Sequence, residues 1–320
     1  MNAARHGWWS GLAGVTIFGF TLPATRLAVG SLDPMLVGLG RAVVAAIPAA
    51  TLLILTRQPR PRPDQWKRLF IVVSGVLVGF PVLIAWAMQR VDASHGGVVL
   101  GILPLATACA AFFRAAESPS PRFWIWSGAG SATVLAFALS EAGGKATPAD
   151  AALLAAVACA AIAYAEGGRL SRELGGWQVM CWTLVLGFPL LIGPTAFLAF
   201  RHGLHATPAA WAGFAWLALG SSFLGMFAWY HGLALGGVAK VGQLQLLQPF
   251  FTFLFAMVFL GERFGWQPIA CAALVAAFIA LGRSETHGVT PKRPSQSPDS
   301  EPVSRSKQSS QASSPSRPSG

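Results

Sequence analysis

The stretch LQLLQPFFTFLFAMVFLGERFGW, Leu244 to Trp266, sets two glutamines and a proline at the entry to a run of apolar residues that stops at Gly-Glu-Arg. In a water-soluble fold such a run would be a core helix. Amides followed by proline would begin it poorly, because proline lacks the N–H that a helix interior needs. The stretch is nevertheless long enough to cross a hydrocarbon core of about 30 Å, which takes roughly 20 helical residues.

Similar runs recur along most of the chain. Of its 320 residues 54% are hydrophobic and only 11% charged, and its mean hydropathy is +0.55. A soluble domain carries about 25% charged residues, so this sequence cannot clothe a water-facing surface. It reads as an all-α membrane protein, because in lipid a helix satisfies its own backbone groups and an open strand does not. Ten spans are expected, at 8–29, 35–55, 69–88, 96–115, 122–140, 149–168, 177–199, 209–231, 238–260 and 265–282. With both termini on the cytoplasmic side, the inside loops and chain start hold eleven Lys and Arg against five outside, an excess that fixes orientation by the positive-inside rule. The net charge of +11 suggests nucleic acid at first sight. Its basic residues lie between apolar runs, where topology puts them, so the expected contacts are the lipid bilayer and a small solute, with no nucleic acid. Cys109, Cys159, Cys181 and Cys271 are scattered singly in apolar segments, which predicts no metal site and no cofactor. Residues 283–320 turn abruptly to Ser, Pro and Gln and predict a disordered cytoplasmic tail.

An internal repeat underlies the spans. Pro104 and Glu117 recur as Pro249 and Glu262, both displaced by 145 residues, and Ala85-Trp86 recurs as Ala228-Trp229, displaced by 143. The repeat divides the chain into residues 1–145 and 146–282. Five spans is an odd number, so the second copy enters the membrane upside down. That is the inverted-repeat plan of secondary transporters, with a solute site near mid-membrane where the copies meet. Pro104 and Pro249 are then helix breaks facing that site or kinks that serve packing.

With the two halves of five spans, a proline in the fourth and ninth, Leu260-Gly261-Glu262 closing the ninth and Asp33-Pro34 followed by Arg41 opening the second, residues 8–282 resemble the EamA type of the drug/metabolite transporter superfamily. The resemblance implies a carrier of the bacterial inner membrane for a small metabolite such as an amino acid, with export the commoner direction in the family. The fourth span departs from the pattern by ending in FFRAAE.

Ionisable and amide groups inside spans are the candidate site residues, since they are costly in lipid. Arg41 can hold a substrate carboxylate bidentately or snorkel to the headgroups. Gln245 and Gln248 share a helix face and can line a cavity or bond neighbouring helices. Trp86, Tyr164 and Trp229 are candidates for an aromatic wall. Glu166 can carry a coupling proton or close an ion pair at the helix end. The pairs Gly75/Gly79, Gly97/Gly101 and Gly232/Gly236 permit close helix approach. No nucleophile–base set or His-Glu-x-x-His motif is found, so an enzyme is not expected. A channel or receptor-like bundle would not require the repeat.

Overall fold

Proline begins helices in this protein. Pro34, Pro63, Pro148 and Pro208 each occupy the first turn of a helix, where a missing N–H leaves nothing unpaired. The residue before three of them caps the same turn: Asp33 accepts from the Leu36 amide, Thr147 from Asp150 and Thr207 from Ala210. The computed structural model describes residues 2–114, 120–141, 147–263 and 265–283, and among them every regular element is helical. Eight helices are long and apolar enough to cross a membrane: α1 (Arg5–Val29), α2 (Pro34–Leu55), α3 (Pro63–Met88), α4 (Ala93–Arg114), α6 (Pro148–Leu174), α7 (Gly176–His202), α8 (Pro208–Gly236) and α9 (Val238–Leu260). Two more, α5 (Pro121–Glu141) and α10 (Trp266–Arg283), fill the gaps in the order. Glu117, Lys145 and the tail from residue 284 lie outside the described residues.

Two boundaries differ usefully from the sequence reading. α3 starts at Pro63 and α6 runs on to Leu174, so Arg68, Glu166 and Glu173 are helical residues near the ends of adjacent rods. Hydropathy alone clips such ends, because it cannot see charges that pair with one another.

The helices pair antiparallel, each residue i having a counterpart near i + 145. The first turns of α4 (Ala93–Val99) lie against the last part of α9 (Gln248–Leu260), and the last part of α4 (Leu103–Arg114) lies against the start of α9 (Val238–Gly242). α2 and α7 also run opposed, with Gln178 beside Gln58 at 3.5 Å and His202 beside Asp33 at 4.0 Å. In the α5–α10 pair Trp126 stacks on Phe278, with centroids 5.8 Å apart, and Cys271 Sγ donates to Thr133 O. Two further packings cross over: α1 packs on α8 and α6 on α3. Gly14 meets Gly225 and Trp229 in one crossing, and Cys159, displaced from it by 145, meets Gly75 and Gly79 in the other.

Local distortions repeat with the same shift. α3 contains a π-helical segment at Val73–Gly79 and α8 another at Trp216–Gly225. Both are rich in glycine and serine, whose small side chains resist widening least; such segments frequently mark functional sites. α4 tightens to a 3-10 turn at Leu100–Ile102 and α9 at Gln243–Leu247. Pro104 and Pro249 follow directly, each the second residue of the α-helix that resumes. The proline in the opening stretch therefore restarts a helix at a point where its absent N–H costs little. Beside each turn a glycine accepts a threonine from the other half: a Cβ on Gly97 would sit 3.1 Å from Thr252 Cγ2, and one on Gly242 3.3 Å from Thr107 Cγ2.

Candidate functional site

Arg41 is a third of the way along α2 and only 5% exposed. Its Nε donates to Ser222 Oγ at 2.7 Å and its Nη2 to Ser221 Oγ at 2.9 Å, and Ser221 Oγ is 3.0 Å from Thr21 Oγ1. Both serines belong to the π-helical segment of α8, whose widened turn directs two consecutive hydroxyls to α2. Three elements therefore fix the guanidinium plane. Among the described residues no carboxylate lies within ion-pair distance of it.

The guanidinium borders a narrow chamber between the halves, with about 20 Å³ of free space. Thr21, Arg41, Tyr164, Ser221, Ser222 and Gln248 line it with polar groups, and Phe18, Phe80, Leu100, Leu103 and Met226 are among its apolar walls. Both halves contribute, and their contributions are unequal. Gln248 faces the chamber from the position whose counterpart in the first half is Leu103, also a lining residue. At this position the polar group belongs to the second copy alone.

Of the residues singled out from sequence, Arg41, Tyr164 and Gln248 meet in this chamber. Trp229 does not line it; fully buried, it backs the wall, edge-on to Phe18 at 6.1 Å and to Tyr164 at 5.5 Å. Trp86 lies outside it, beneath the Arg90 guanidinium, which sits 3.6 Å from the ring centroid. Gln245 is 1% exposed and also off the chamber, with neither amide atom hydrogen-bonded. Its counterpart in the first half is Leu100. Because an unpaired buried amide costs about 1–3 kcal/mol, Gln245→Leu is expected to raise the unfolding temperature of the detergent-solubilised protein. A fall would show that the amide has a partner.

Glu166 sits apart, on α6 near its end. Arg68 Nε lies 2.5 Å from its Oε1 and Arg114 Nη1 3.4 Å from its Oε2, while Arg68 also reaches Glu173 at 2.7 Å. A second ionic cluster closes the opposite end of α4. Gly261 takes a left-handed conformation (φ 66°) that ends α9 and turns Glu262 back, so that its two oxygens accept the Ala93 and Ser94 amides at 3.2 Å. Arg26 pairs with Asp92 at 2.5 Å, approaches Glu262 at 3.6 Å and donates to Val91 O. The Leu-Gly-Glu motif is thus a helix stop plus an anion placed on another helix's N-terminus.

Sequence reasoning missed Thr21, Ser221, Ser222 and the Arg26–Glu262 contact. The serine pair had a signal: consecutive hydroxyls inside the apolar run WLALGSSFLG, bracketed by glycines. Nothing local marked Thr21, which matters only because α1 crosses α8.

The architecture defines a multi-pass membrane protein of all-helical build with a polar chamber between its halves. Its sequence matches the EamA-like transporter family twice, over residues 6–139 and 147–282, and the chain belongs to that family of membrane transporters. It is 44% identical over 291 residues to "Uncharacterized transporter YdeK" of Bacillus subtilis, covering 88% of this chain and 99% of that one. It is 26% identical to "Protein PecM" of Dickeya dadantii, over 75% and 81% of the two chains. A "Probable terminal-alkyne amino-acid exporter" of Streptantibioticus cattleyicolor is also 26% identical, over 79% and 85%. A crystal structure with 17% identity superposes with a TM-score of 0.68 over 86% of this chain and 97% of that one, and so shares the fold.

Proposed function

We propose that the protein is a secondary transporter that moves a small polar or amphipathic metabolite, such as an amino acid, outward across the bacterial inner membrane by alternating access. The observation that carries the reading is the chamber itself: polar groups from both halves surround empty space midway along antiparallel helices. In this reading residues 1–145 and 146–282 are two inverted five-helix repeats, α5 and α10 complete ten spans, and both termini face the cytoplasm. The name of the Streptantibioticus relative supports both the export direction and the amino-acid class.

The two ionic clusters supply the gates. α4 has 22 residues, about 33 Å at 1.5 Å per residue, and carries the Arg26–Asp92–Glu262 cluster at its start and the Arg68–Glu166–Arg114 cluster at its end. Opening one while the other holds exposes the chamber to one side at a time. Glu262→Gln removes a charge from the α4 N-terminus and from Arg26, an interaction of about 1 kcal/mol. It is expected to raise the rate at which an impermeant thiol reagent, added outside, labels a Leu100→Cys chamber reporter in a background free of other cysteines by about five-fold. An unchanged rate would remove Glu262 from the gate.

The transport reading is tested by comparing the metabolites released by cells with and without the protein, then following any differing compound into vesicles of purified protein. Counterflow of that compound is expected. Vesicles that move none of the candidates would end the carrier reading.

A further inference from the structure

The chamber contains one fixed cation and no fixed anion. Its lining includes Arg41, four hydroxyl-bearing residues and one amide, with no Asp, Glu or His. We infer that it binds a monoanion, a carboxylate on a short uncharged apolar body, and selects against amines and dianions. The inference rests on the transport reading for its biological meaning and narrows that reading from amino acids to carboxylates that carry no ammonium, while its own argument uses the chamber's chemistry alone.

The donors converge on one place. Ser221 and Ser222 accept from Arg41, so their own O–H protons point elsewhere. Ser221 exchanges a bond with Thr21, while the Ser222 proton is left for a ligand. Arg41 uses Nε and Nη2 on the serines, and its Nη1 has no hydrogen-bond partner among the described residues. Neutral hydroxyls can orient a guanidinium but cannot neutralise it. A buried charge without an opposite charge is expensive, and an anion brought into the site gains charge-assisted bonds that repay its own dehydration better than a neutral acceptor would.

The remainder of the space fixes the other end of the ligand. The rest of the lining includes Phe18, Phe80, Leu100, Leu103 and Met226, which suit an aliphatic body, and it holds no second cation to pair with a second carboxylate. An ammonium would find no carboxylate and would meet the positive guanidinium in a medium of low dielectric, where like charges repel strongly.

The test uses the intact purified protein in lipid nanodiscs at neutral pH, with pentanoate, pentanamide, pentylammonium and glutarate as probes of matched size. Pentanoate is expected to bind at least about ten-fold more tightly than the amide, the difference between charged and neutral hydrogen bonding, and pentylammonium and glutarate more weakly than pentanoate. Arg41→Gln is expected to abolish the preference for pentanoate over pentanamide, and Arg41→Lys to keep part of it. Ser222→Ala, which leaves the charge in place, is expected to weaken pentanoate about five-fold while leaving pentanamide less affected. If Arg41→Gln does not fold, the probe series and Ser222→Ala decide the matter. Pentylammonium or pentanamide binding as tightly as pentanoate overturns the inference, as does pentanoate binding that ignores both Arg41→Gln and Ser222→Ala. The two readings fail separately: vesicles that carry a cation sink the anion site and spare the carrier, whereas a carboxylate bound but never moved does the reverse.

Discussion

Gly232→Leu is expected to lower the stability of the detergent-solubilised protein by about 3 kcal/mol, the upper range for overpacking a filled interface. At this crossing α1 and α8 touch through backbone. A Cβ on Gly232 would lie 2.7 Å from the Gly11 nitrogen, 2.9 Å from its Cα and 2.9 Å from the Gly7 carbonyl oxygen. None of those atoms can rotate aside, so the helices must part. In lipid there is little hydrophobic force between helices, and close packing through small residues carries much of their association. Parting α1 from α8 also moves Thr21 away from Ser221, the contact that anchors the chamber's hydroxyls. Gly232→Ala is expected to follow the same direction with a smaller loss. The control is Gly128→Ala in α5, where a Cβ meets nothing within 4 Å; there the helix gains about 0.5–1 kcal/mol from alanine's higher propensity. Thermal unfolding followed by tryptophan fluorescence separates these outcomes. A Gly232→Leu protein as stable as wild type would mean that the two helices do not approach as closely as their glycines allow.

Much of this arrangement could be read before any coordinates. The 145-residue displacement of Pro104/Pro249 leads to the expectation that α4 and α9 are counterparts running opposed, and the two helices do pack antiparallel. That expectation depends only on apolar run length and on proline, which act locally. Arg41 and Gln248 were singled out because polar groups in apolar runs are costly wherever they fall, and Tyr164 as part of an aromatic wall; the three line one chamber. What sequence could not supply was which face each helix turns to which neighbour. Gln245 and Gln248 are three residues apart and looked equivalent, yet Gln248 lines the chamber and Gln245 is sealed in packing. Trp86 and Trp229 occupy corresponding positions in the repeat, yet one carries Arg90 on its ring and the other supports Tyr164. The repeat predicts backbone place and leaves side-chain partnership free. The π-helical segments were invisible for a related reason: glycine and serine permit a wider turn but do not demand it.

Arg68→Leu is expected to be more damaging than Glu166→Leu, and the double substitution less damaging than either. Glu166 has a side chain only 4% exposed and Arg68 one 17% exposed, joined at 2.5 Å. Without Glu166, Arg68 keeps Glu173 at 2.7 Å. Without Arg68, Glu166 keeps only the longer contact of 3.4 Å to Arg114, whose side chain is 41% exposed. A buried charge stripped of its main partner costs about 3–5 kcal/mol, whereas replacing both partners by apolar side chains is often close to neutral. The stability cycle over the four proteins is therefore expected to show a coupling of about 2 kcal/mol or more. The same proteins decide what Glu166 does in transport. Were its carboxylate the site of a coupling proton, the double variant would lose its response to an imposed pH gradient however well it folded. A carboxylate that serves as one half of a gate predicts the opposite: with Arg68 and Glu166 both replaced, flux still follows the solute gradient, any response to the pH gradient survives, and the thiol reagent reaches the chamber faster from the cytoplasmic side, because the lock at that end of α4 has been removed and the one built on Glu262 has not.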